Sequence, residues 1–225
     1  MACKTEWTTL KVSDGTEMRL YVARPDPVDG GGKAPSVIVV QEAFGLNRHI
    51  RSVCERVAGL GYLAVSPEMF HRTAPGFDGN YDDIDKVRPH MAAMTDEGQA
   101  ADLQAVHKFL QGDAQADAAR VAAVGYCMGG RTAFLANSVL PLKAAVSYYG
   151  GRIPSLLPKA LGQNGPLLFF WGGQDKHIPP EQRREVLQAL DGAGKPYTNV
   201  EFSAADHGFF CEERKSYHAV AAAQS

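Results

Sequence analysis

The stretch VAAVGYCMGGRT, from Val121 to Thr132, decides how the fold is interpreted. The apolar run RVAAVG predicts a buried strand, which ends abruptly at Cys127 between Gly125 and Gly129. The residues from Met128 to about Ser138 predict a short helix. A strand, a sharp turn and a helix in this order are the context of a nucleophile elbow, in which a strained turn presents a nucleophilic side chain. We therefore expect the Cys127 side chain at the carboxyl edge of a sheet, where open α/β folds bind ligands.

The glycines beside Cys127 and the helix after it are expected to make room for the turn and to favour the thiolate form of the side chain. Gly125 and Gly129 leave room for the turn, because side chains at these positions would collide with the neighbouring strand and helix. The helix that begins at Met128 points its amino terminus at the Cys127 sulfur. The partial positive charge of that terminus favours the thiolate, which is the nucleophilic form of the side chain.

Strand and helix patterns alternate along the rest of the chain. An antiparallel hairpin is predicted first, from the strands TEWTTLKV and TEMRLYVA and the turn Ser13–Gly15. Buried strands are then expected at 36–41, 62–67, 144–150 and 167–173, and further strands at 120–125 and 197–204. Helices are expected at 50–60, around 103–110, at 128–138, from 180 to about 192, and within 216–225. This alternation predicts an α/β fold of the α/β-hydrolase type, with a mostly parallel sheet, helices on both faces and the hairpin at one edge.

The chain contains neither an internal repeat nor a linker, so residues 1–225 are expected to form one domain. Loops are expected at Gly30–Gly32 and at Pro75–Asp83, where Gly, Pro and Asp are frequent. The stretch Pro154–Gly165 is interpreted as an irregular insertion over one edge of the sheet.

The composition is that of an ordinary globular protein, with 45% hydrophobic and 21% charged residues and a net charge of −2. Lysines and arginines form no run, so a nucleic-acid partner is not expected. No apolar run approaches the roughly 18 residues that a membrane span needs. The N-terminal sequence lacks the apolar core of a signal peptide. A cytoplasmic protein without a membrane partner is therefore expected.

The cysteines are scattered along the chain without a CxxC pair: Cys3, Cys54, Cys127 and Cys211. This spacing favours neither a disulfide framework nor a zinc site, so free thiols and no bound metal are expected. Cys54 lies on the apolar face of the helix predicted at 50–60, together with Leu60, and is interpreted as a core residue. That explanation does not apply to Cys127, which lies on a turn.

A base and an acid for Cys127 follow later in the chain, each at the end of a predicted strand. The order Cys127, Asp175, His207 is the order of nucleophile, acid and histidine in α/β-hydrolases. We predict that His207 exchanges a proton with Cys127, and that Asp175 fixes the tautomer of His207 and stabilises its imidazolium form. The neighbouring residues His177 and Asp206 are rivals for these roles. We interpret His177 as a loop or pocket-wall residue and Asp206 as a residue that orders its loop.

An acidic residue also ends the first buried strand, in the sequence VVQEAFGLN. Glu42 stands after a run of Val and Ile, where a carboxylate is costly unless it is paired. The backbone N–H groups of Ala43 and Met128 are candidate donors of an oxyanion hole. Such donors would stabilise the negative charge of a tetrahedral intermediate.

At these residues the sequence resembles the dienelactone hydrolase family of α/β-hydrolases. The resemblance is carried by four stretches in the order of the family: QEAFGLN at 41–47, GYCMGG at 125–130, GGQD at 172–175 and DHGF at 206–209. It implies a Cys-His-Asp triad of Cys127, His207 and Asp175. It also implies that Glu42 contacts the resting thiol and helps to form the thiolate when substrate arrives.

The family reaction opens an enol-lactone ring through a thioacyl enzyme, so the resemblance implies a small-molecule ester or lactone as substrate and no metal or organic cofactor. Phe44, Arg72, Tyr148 and Arg214 are candidate pocket residues. Cys211 takes the place of a family arginine that binds the substrate carboxylate, so that binding site is not carried over. Relatives continue the final helix further, which is consistent with a clipped C-terminus. A monomer or a weak homodimer is expected.

Thiolate chemistry narrows the expected substrates. Because thiolate is itself a good leaving group, it suits esters that release enolates or phenolates better than simple alkyl esters or amides. Slow turnover of phosphotriesters is expected as a side activity, since a P–S bond should release more readily than the phosphoryl ester of a serine. Two alternatives stay open. One is a non-catalytic scaffold that binds a small molecule or a partner, and the other is a redox sensor at Cys127 with Cys211 as its partner.

Overall fold

The computed structural model of the chain describes residues 3–26 and 32–225. Gly30 and Gly31 of the predicted glycine loop lie outside the described residues. The chain divides into two compact units, Met1–Ala122 and Ala123–Ser225. The expectation of a single domain remains a prediction.

The first unit carries the hairpin and the first parallel strands. Its strands are β1 (Lys4–Lys11), β2 (Glu17–Arg24), β3 (Ala34–Val40), β4 (Leu63–Pro67) and the first part of β5 (Ala116–Tyr126). Their hydrogen-bonded order is β1-β2-β4-β3-β5. β2 pairs antiparallel with both β1 and β4, whereas β3 pairs parallel with β4. The predicted hairpin is therefore confirmed, with Lys4 opposite Arg24 and Lys11 opposite Glu17.

The described residues of the first unit form three helices, and their apolar spacing explains how they pack. They are α1 (Arg48–Gly59), α2 (Ile84–Ala93) and α3 (Asp96–Gly112). α3 buries Leu103, Val106 and Leu110, which recur at the helical spacing of three to four residues. The side chain of Thr95 caps α3 by accepting a hydrogen bond from the backbone N–H of Gly98.

The second unit continues the sheet pattern with parallel strands. It contains the end of β5 and the strands β6 (Ala144–Tyr148), β7 (Leu167–Gly172) and β8 (Tyr197–Phe202), in the order β5-β6-β7-β8. β7 pairs parallel with both β6 and β8. The helices are α4 (Met128–Val139), α5 (Pro180–Gly192) and α6 (Ala219–Ala223). Over the described ranges the strands form an eight-stranded, mostly parallel sheet with helices around it, which confirms the predicted α/β fold.

Two elements were missed from the sequence because prolines obscure their pattern. Helix α2 contains Pro89 and buries only Val87, so its apolar period is weak. The stretch interpreted as irregular holds a 3-10 helix, Ile153–Gly162, with Pro154 at its start and Pro158 inside. This helix buries Ile153, Leu156 and Ala160, which follow one another at a spacing of three to four residues.

The expected burial of Leu60 is wrong. Leu60 lies one residue beyond α1 as its C-cap, and its side chain is 77% exposed. Cys54, in contrast, is fully buried on the inner face of α1 as predicted. The apolar spacing therefore identifies the buried face of the helix only as far as the helix itself continues.

Over the parts of the chain that the structure describes, no helix has both the length and the apolar character that crossing a bilayer requires.

Candidate active site

The turn between β5 and α4 has the strained geometry of a nucleophile elbow. Cys127 has a φ of 55° and a ψ of −117°, a backbone conformation that residues other than glycine rarely adopt. Such strain persists only where the surrounding structure imposes it, and it concentrates at functional sites. Here β5 ends at Tyr126 and α4 begins at Met128, so no residue other than Cys127 can make the turn. Its side chain is half-buried at the amino terminus of α4.

Close backbone packing holds the elbow in place. A Cβ atom at Gly125 would lie 1.8 Å from the carbonyl oxygen of Gly129, so only glycine fits at this position. A Cβ atom at Gly130 would lie 2.8 Å from the carbonyl oxygen of Tyr148, which is a second close approach that the sequence did not predict. The backbone N–H of Cys127 donates to the same Tyr148 carbonyl at 3.0 Å. The elbow is therefore tied to the end of β6.

His207 and Asp175 come from the ends of neighbouring strands. Asp175 follows β7, His207 follows β8, and the Asp175 Oδ2 lies 2.7 Å from the His207 Nδ1. The Asp175 side chain is 1% exposed and that of His207 is 10% exposed. A hydrogen bond also joins the imidazole of His207 to the Cys127 side chain. Because Nδ1 is taken by Asp175, Nε2 is the ring nitrogen left to interact with the sulfur. The three predicted triad residues thus meet in the second unit.

Opposing effects set the pKa values of this group. Burial alone would lower the pKa of His207, but the charge of Cys127 and the hydrogen bonds to Asp175 and Cys127 raise it to about 10. Burial alone would raise the pKa of Asp175, but the hydrogen bond and the charge of His207 lower it. The arrangement therefore favours the imidazolium form of His207 beside the Asp175 carboxylate.

The rivals of the two triad residues have other contacts. Asp206 accepts a hydrogen bond from the backbone N–H of His207 at 2.6 Å, so it orders the turn before the imidazole. His177 donates its backbone N–H to the Asp175 Oδ1 at 2.8 Å. The exposed His177 ring stands edge-on to the His207 ring, with 5.3 Å between the ring centres. Neither side chain takes the position at Nδ1 of His207 that Asp175 occupies.

The predicted residues after β3 lie in the first unit. Glu42, Ala43 and Phe44 are all buried, and the Glu42 side chain has no exposed surface. The segment bends at Gly45, which has a φ of 82°, and a Cβ there would lie 2.1 Å from the carbonyl oxygen of Phe77. The roles expected for Glu42 at the thiol, and for Ala43 and Met128 in an oxyanion hole, remain predictions.

Arg72, a candidate pocket residue, is held in ion pairs of the first unit. Its guanidinium donates to both carboxylate oxygens of Asp102, at 2.7 and 2.9 Å, and to Asp14 at 2.8 Å. Asp102 also lies 3.1 Å from the Nε2 of His71 and is 1% exposed. These contacts support a structural role for Arg72, and its place in a substrate pocket remains a prediction.

Tyr148 and Arg214, the other candidate pocket residues, lie in the second unit. Tyr148 is nearly buried, and its ring centre lies 4.8 Å from that of Tyr126 and 4.9 Å from that of Phe210. The Arg214 guanidinium packs against Gly208, where a Cβ would lie 2.5 Å from the Arg214 Cζ. It therefore lies beside the backbone that follows the triad histidine. Assignment of either side chain to the substrate pocket remains a prediction, as it does for Phe44.

Two residues near the triad were missed from the sequence. Tyr149 is fully buried with a φ of 37°, and its ring centre lies 5.1 Å from that of His207. Arg183 on α5 is buried and donates to the carbonyl oxygen of Gly172, close to Asp175. A signal for Arg183 was present, because it shares the helical spacing of the buried residues Val186 and Leu190.

An elbow after a central parallel strand, with acid and histidine after later strands, defines the α/β-hydrolase class of enzymes. Within that class, the family model "Dienelactone hydrolase family" matches residues 18–225, and the chain belongs to this family. The protein is a hydrolase of the dienelactone hydrolase type.

Individual relatives agree with this assignment. A curated protein from Synechocystis sp., provisionally named carboxymethylenebutenolidase, is 36% identical over 215 residues, which is 91% of this chain and 86% of the relative. A protein of the same provisional name from Salmonella typhimurium is 38% identical over 220 residues, or 93% of this chain and 80% of the relative. A crystal structure of a provisionally named dienelactone hydrolase from Klebsiella pneumoniae matches with a TM-score of 0.89 and 35% identity. That match covers 100% of this chain and 95% of the other.

Proposed function

We propose that the chain is a cysteine-dependent hydrolase of lactones and activated carboxylic esters that acts through a thioacyl-enzyme intermediate. The observation that carries the proposal is the position of Cys127, on a strained turn and hydrogen-bonded to an imidazole that Asp175 orients. The relatives whose provisional name is carboxymethylenebutenolidase support a lactone as the substrate class.

In the first half of the reaction, the Cys127 thiolate attacks the carbonyl carbon and a C–S bond forms. The carbonyl electrons move onto oxygen and then return as the bond to the leaving oxygen breaks. His207, as imidazolium, gives its proton to that oxygen. In a lactone, the leaving oxygen stays attached to the acyl chain, so ring opening and thioacylation are the same step.

In the second half, water attacks the thioester carbonyl while the now neutral His207 accepts a proton from it. The C–S bond breaks, the acid is released and the thiolate–imidazolium pair is restored. Asp175 keeps the Nδ1 proton in place through both halves, because its carboxylate lies 2.7 Å from that nitrogen. The scheme uses these side chains and water, and the absence of a cofactor remains a prediction.

The sulfur nucleophile favours esters with stable leaving groups. When the tetrahedral intermediate collapses, thiolate competes with the other leaving group, so enolates and phenolates leave in the productive direction and amide nitrogen does not. The same chemistry supports a slow side reaction with phosphotriesters, in which a P–S bond forms and water then breaks it. Permanent one-to-one inactivation by a phosphotriester would contradict this extension.

Hydrolysis of para-nitrophenyl acetate and of an enol-lactone by the wild type and by Cys127→Ala tests the proposal. The wild type should turn over both substrates and should carry an acetyl group on Cys127 when it is quenched during turnover and analysed by peptide mass spectrometry. Cys127→Ala should lose both the activity and the adduct, whereas the control Cys3→Ala, at a half-buried position remote in sequence, should retain them. Activity that survives in Cys127→Ala would remove the sulfur from the mechanism.

Adduct mapping and a separate peroxide treatment distinguish the alternatives. A scaffold without catalysis would give no adduct in the wild type. A redox sensor would give a Cys127–Cys211 disulfide after mild peroxide treatment, although Cys211 is fully buried. The monomer or weak homodimer, the cytoplasmic location and the lack of a nucleic-acid partner remain predictions.

A further inference from the structure

Arg183 is a buried cation close to the turn that carries the triad acid. It lies in the first turns of α5, and its side chain is 8% exposed. Its Nη1 donates to the backbone carbonyl oxygen of Gly172 at 3.0 Å and lies 3.4 Å from the Oε2 of Glu201. Burying a guanidinium is costly unless hydrogen bonds and charges offset the lost hydration. The two contacts of Nη1 join α5 to the end of β7 and to β8.

The turn that carries Asp175 begins at Gly172, whose carbonyl oxygen closes the turn. The same oxygen accepts the backbone N–H of Asp175 at 3.2 Å, three residues later. Arg183 therefore fixes the acceptor on which the turn closes. If the guanidinium were removed, this oxygen would lose the shorter of these two hydrogen bonds.

The turn is also tied to the segment that leads to His207. The Gly173 N–H donates to the carbonyl oxygen of Phe202 at 2.8 Å, and the Gln174 N–H donates to that of Ala205 at 2.9 Å. A rotation of the turn about these bonds would change the distance between Asp175 and the His207 ring. The 2.7 Å hydrogen bond between them therefore depends on how firmly the start of the turn is held.

We propose that Arg183 is a positioning residue of the hydrolase, which holds the Gly172–Asp175 turn so that Asp175 stays within hydrogen-bond reach of His207. The inference rests on the proposed function and adds to it a residue that touches neither the substrate nor the reacting atoms. Arg183 affects the reaction only by positioning the Asp175 carboxylate, through its hydrogen bond to the backbone carbonyl of Gly172.

Arg183→Met should lower kcat/KM for para-nitrophenyl acetate about 10- to 100-fold, because a displacement of about 1 Å in a catalytic group costs up to roughly 100-fold. The loss should fall on kcat, with KM unchanged. The alkaline limb of the pH profile should move to lower pH, because a displaced Asp175 supports the imidazolium less well. Arg183→Lys, which keeps the charge but not the planar fork, should lose only about 3- to 10-fold.

The alkaline limb of the pH profile reports the ionisation of His207, because Asp175 acts on that imidazole. The titratable and charged groups that contact or adjoin this ring among the described residues are Cys127, Tyr149, Asp175, His177, Asp206 and Arg214. Arg183 is not among them. A shift of the alkaline limb in Arg183 variants therefore reports a change that is transmitted through Asp175.

The matched control is Arg184→Met, one residue further along the same helix. Arg184 pairs with Glu181 at 2.7 Å on the surface, where the two side chains are 61% and 71% exposed. Its loss removes the same charge from α5 without touching the turn, so kcat, KM and the alkaline limb should stay at wild-type values.

A double variant tests whether Arg183 acts through Asp175. In the Asp175→Ala background, Arg183→Met should have little further effect on kcat, since residues that act as a unit are not additive. An undiminished loss in that background would overturn the inference, and so would a folded Arg183→Met enzyme with wild-type kcat and pH profile.

Circular dichroism and urea unfolding check the fold of each variant. If Arg183→Met does not fold, Arg183→Lys decides, and wild-type kinetics in a folded Lys variant overturn the inference. Unfolding of both variants also overturns it, because Arg183 would then be needed for the fold and not for the turn. Failure of the proposed function looks different. In that case Asp175→Ala would itself leave kcat unchanged.

Discussion

Substitution of Gly125 by alanine tests directly how the elbow is built. The added Cβ would lie 1.8 Å from the carbonyl oxygen of Gly129, 2.2 Å from its carbonyl carbon and 2.9 Å from the nitrogen of Gly130. Ordinary contacts of a Cβ begin at 3.4 Å, so the first turn of α4 must move by about 1.6 Å relative to β5. All three obstructing atoms belong to the backbone, so no side-chain rotation can relieve the overlap.

The consequences can be estimated for both stability and rate. Overpacking of this kind costs about 1–3 kcal/mol, or more where backbone must shift. For a chain of this length that corresponds to a loss of roughly 2–12 °C in Tm. Because Cys127 stands between the two displaced elements, its sulfur should leave the reach of His207, and displacements of about 1 Å cost roughly 100-fold in rate. Gly125→Ala should therefore lose at least about 100-fold in kcat/KM for para-nitrophenyl acetate, at temperatures where it is still folded.

Gly59→Ala is the matched control for Gly125→Ala. Gly59 is the last residue of α1, and a Cβ there meets no heavy atom within 4 Å. Alanine in a helix is favoured over glycine by up to about 1 kcal/mol, so this variant should be as stable as the wild type or slightly more stable, with full activity. A Gly125→Ala enzyme with wild-type Tm and kcat/KM would refute the reasoning, because the elbow would then tolerate a side chain at its closest contact.

Three further results are expected. In NMR titrations, the His207 ring should keep its proton up to a pH of about 10. Because folding raises this pKa, the stabilisation that the protonated ring brings should be present below pH 6.5 and be lost as the pH rises through about 10. A titration midpoint near 6.5 in the folded protein would contradict this. Arg72→Met should destabilise the protein by about 3 kcal/mol in urea unfolding, since it leaves the buried Asp102 carboxylate without its bidentate partner; an unchanged urea midpoint would argue against a structural ion pair. Iodoacetamide should alkylate Cys127 well before Cys54, because burial raises the pKa of the Cys54 thiol, and peptide mapping before and after unfolding would reveal the opposite order if it occurred.

The sequence predicted those features of the fold that local patterns encode. The hairpin was evident because β-rich stretches flank Ser13–Gly15, and the buried strands were evident as apolar runs. Helix α2 and the 3-10 helix were missed, since each contains a proline, and α2 buries only Val87. Leu60 was assigned to the apolar face of α1, but the helix ends one residue before it and its side chain is exposed.

The candidate site likewise contains residues that the sequence predicted and contacts that it did not predict. Cys127, Asp175 and His207 were predictable because each comes shortly after a predicted strand, and parallel strands bring those positions to one edge of a sheet. The contacts of Arg183 and Tyr149 were not predictable, since they depend on the path of a turn and on a positive φ. For Arg72 the sequence contains no sign that Asp14 and Asp102 are its partners, because both lie far from it in the chain.

The strand order of the second unit explains why nucleophile, acid and histidine follow one another in this sequence. Cys127 follows β5, whereas Asp175 and His207 follow β7 and β8, so β6 lies between the strand of the nucleophile and the strands of its partners. The intervening strand contributes to the site at its own end, because the Tyr148 carbonyl holds the backbone of Cys127 and the Tyr149 ring packs near His207. The His207 imidazole, which follows β8, can reach the Cys127 sulfur only if two conditions are met. The elbow must lift the sulfur above the end of β5, and the segment that carries His207 must bend back toward the sulfur. The positive φ of Cys127 and the φ of 79° at Gly208 are the two backbone features at those bends. The strain at the elbow is therefore a condition for bringing a thiol and an imidazole together across the two strands that separate them, β6 and β7.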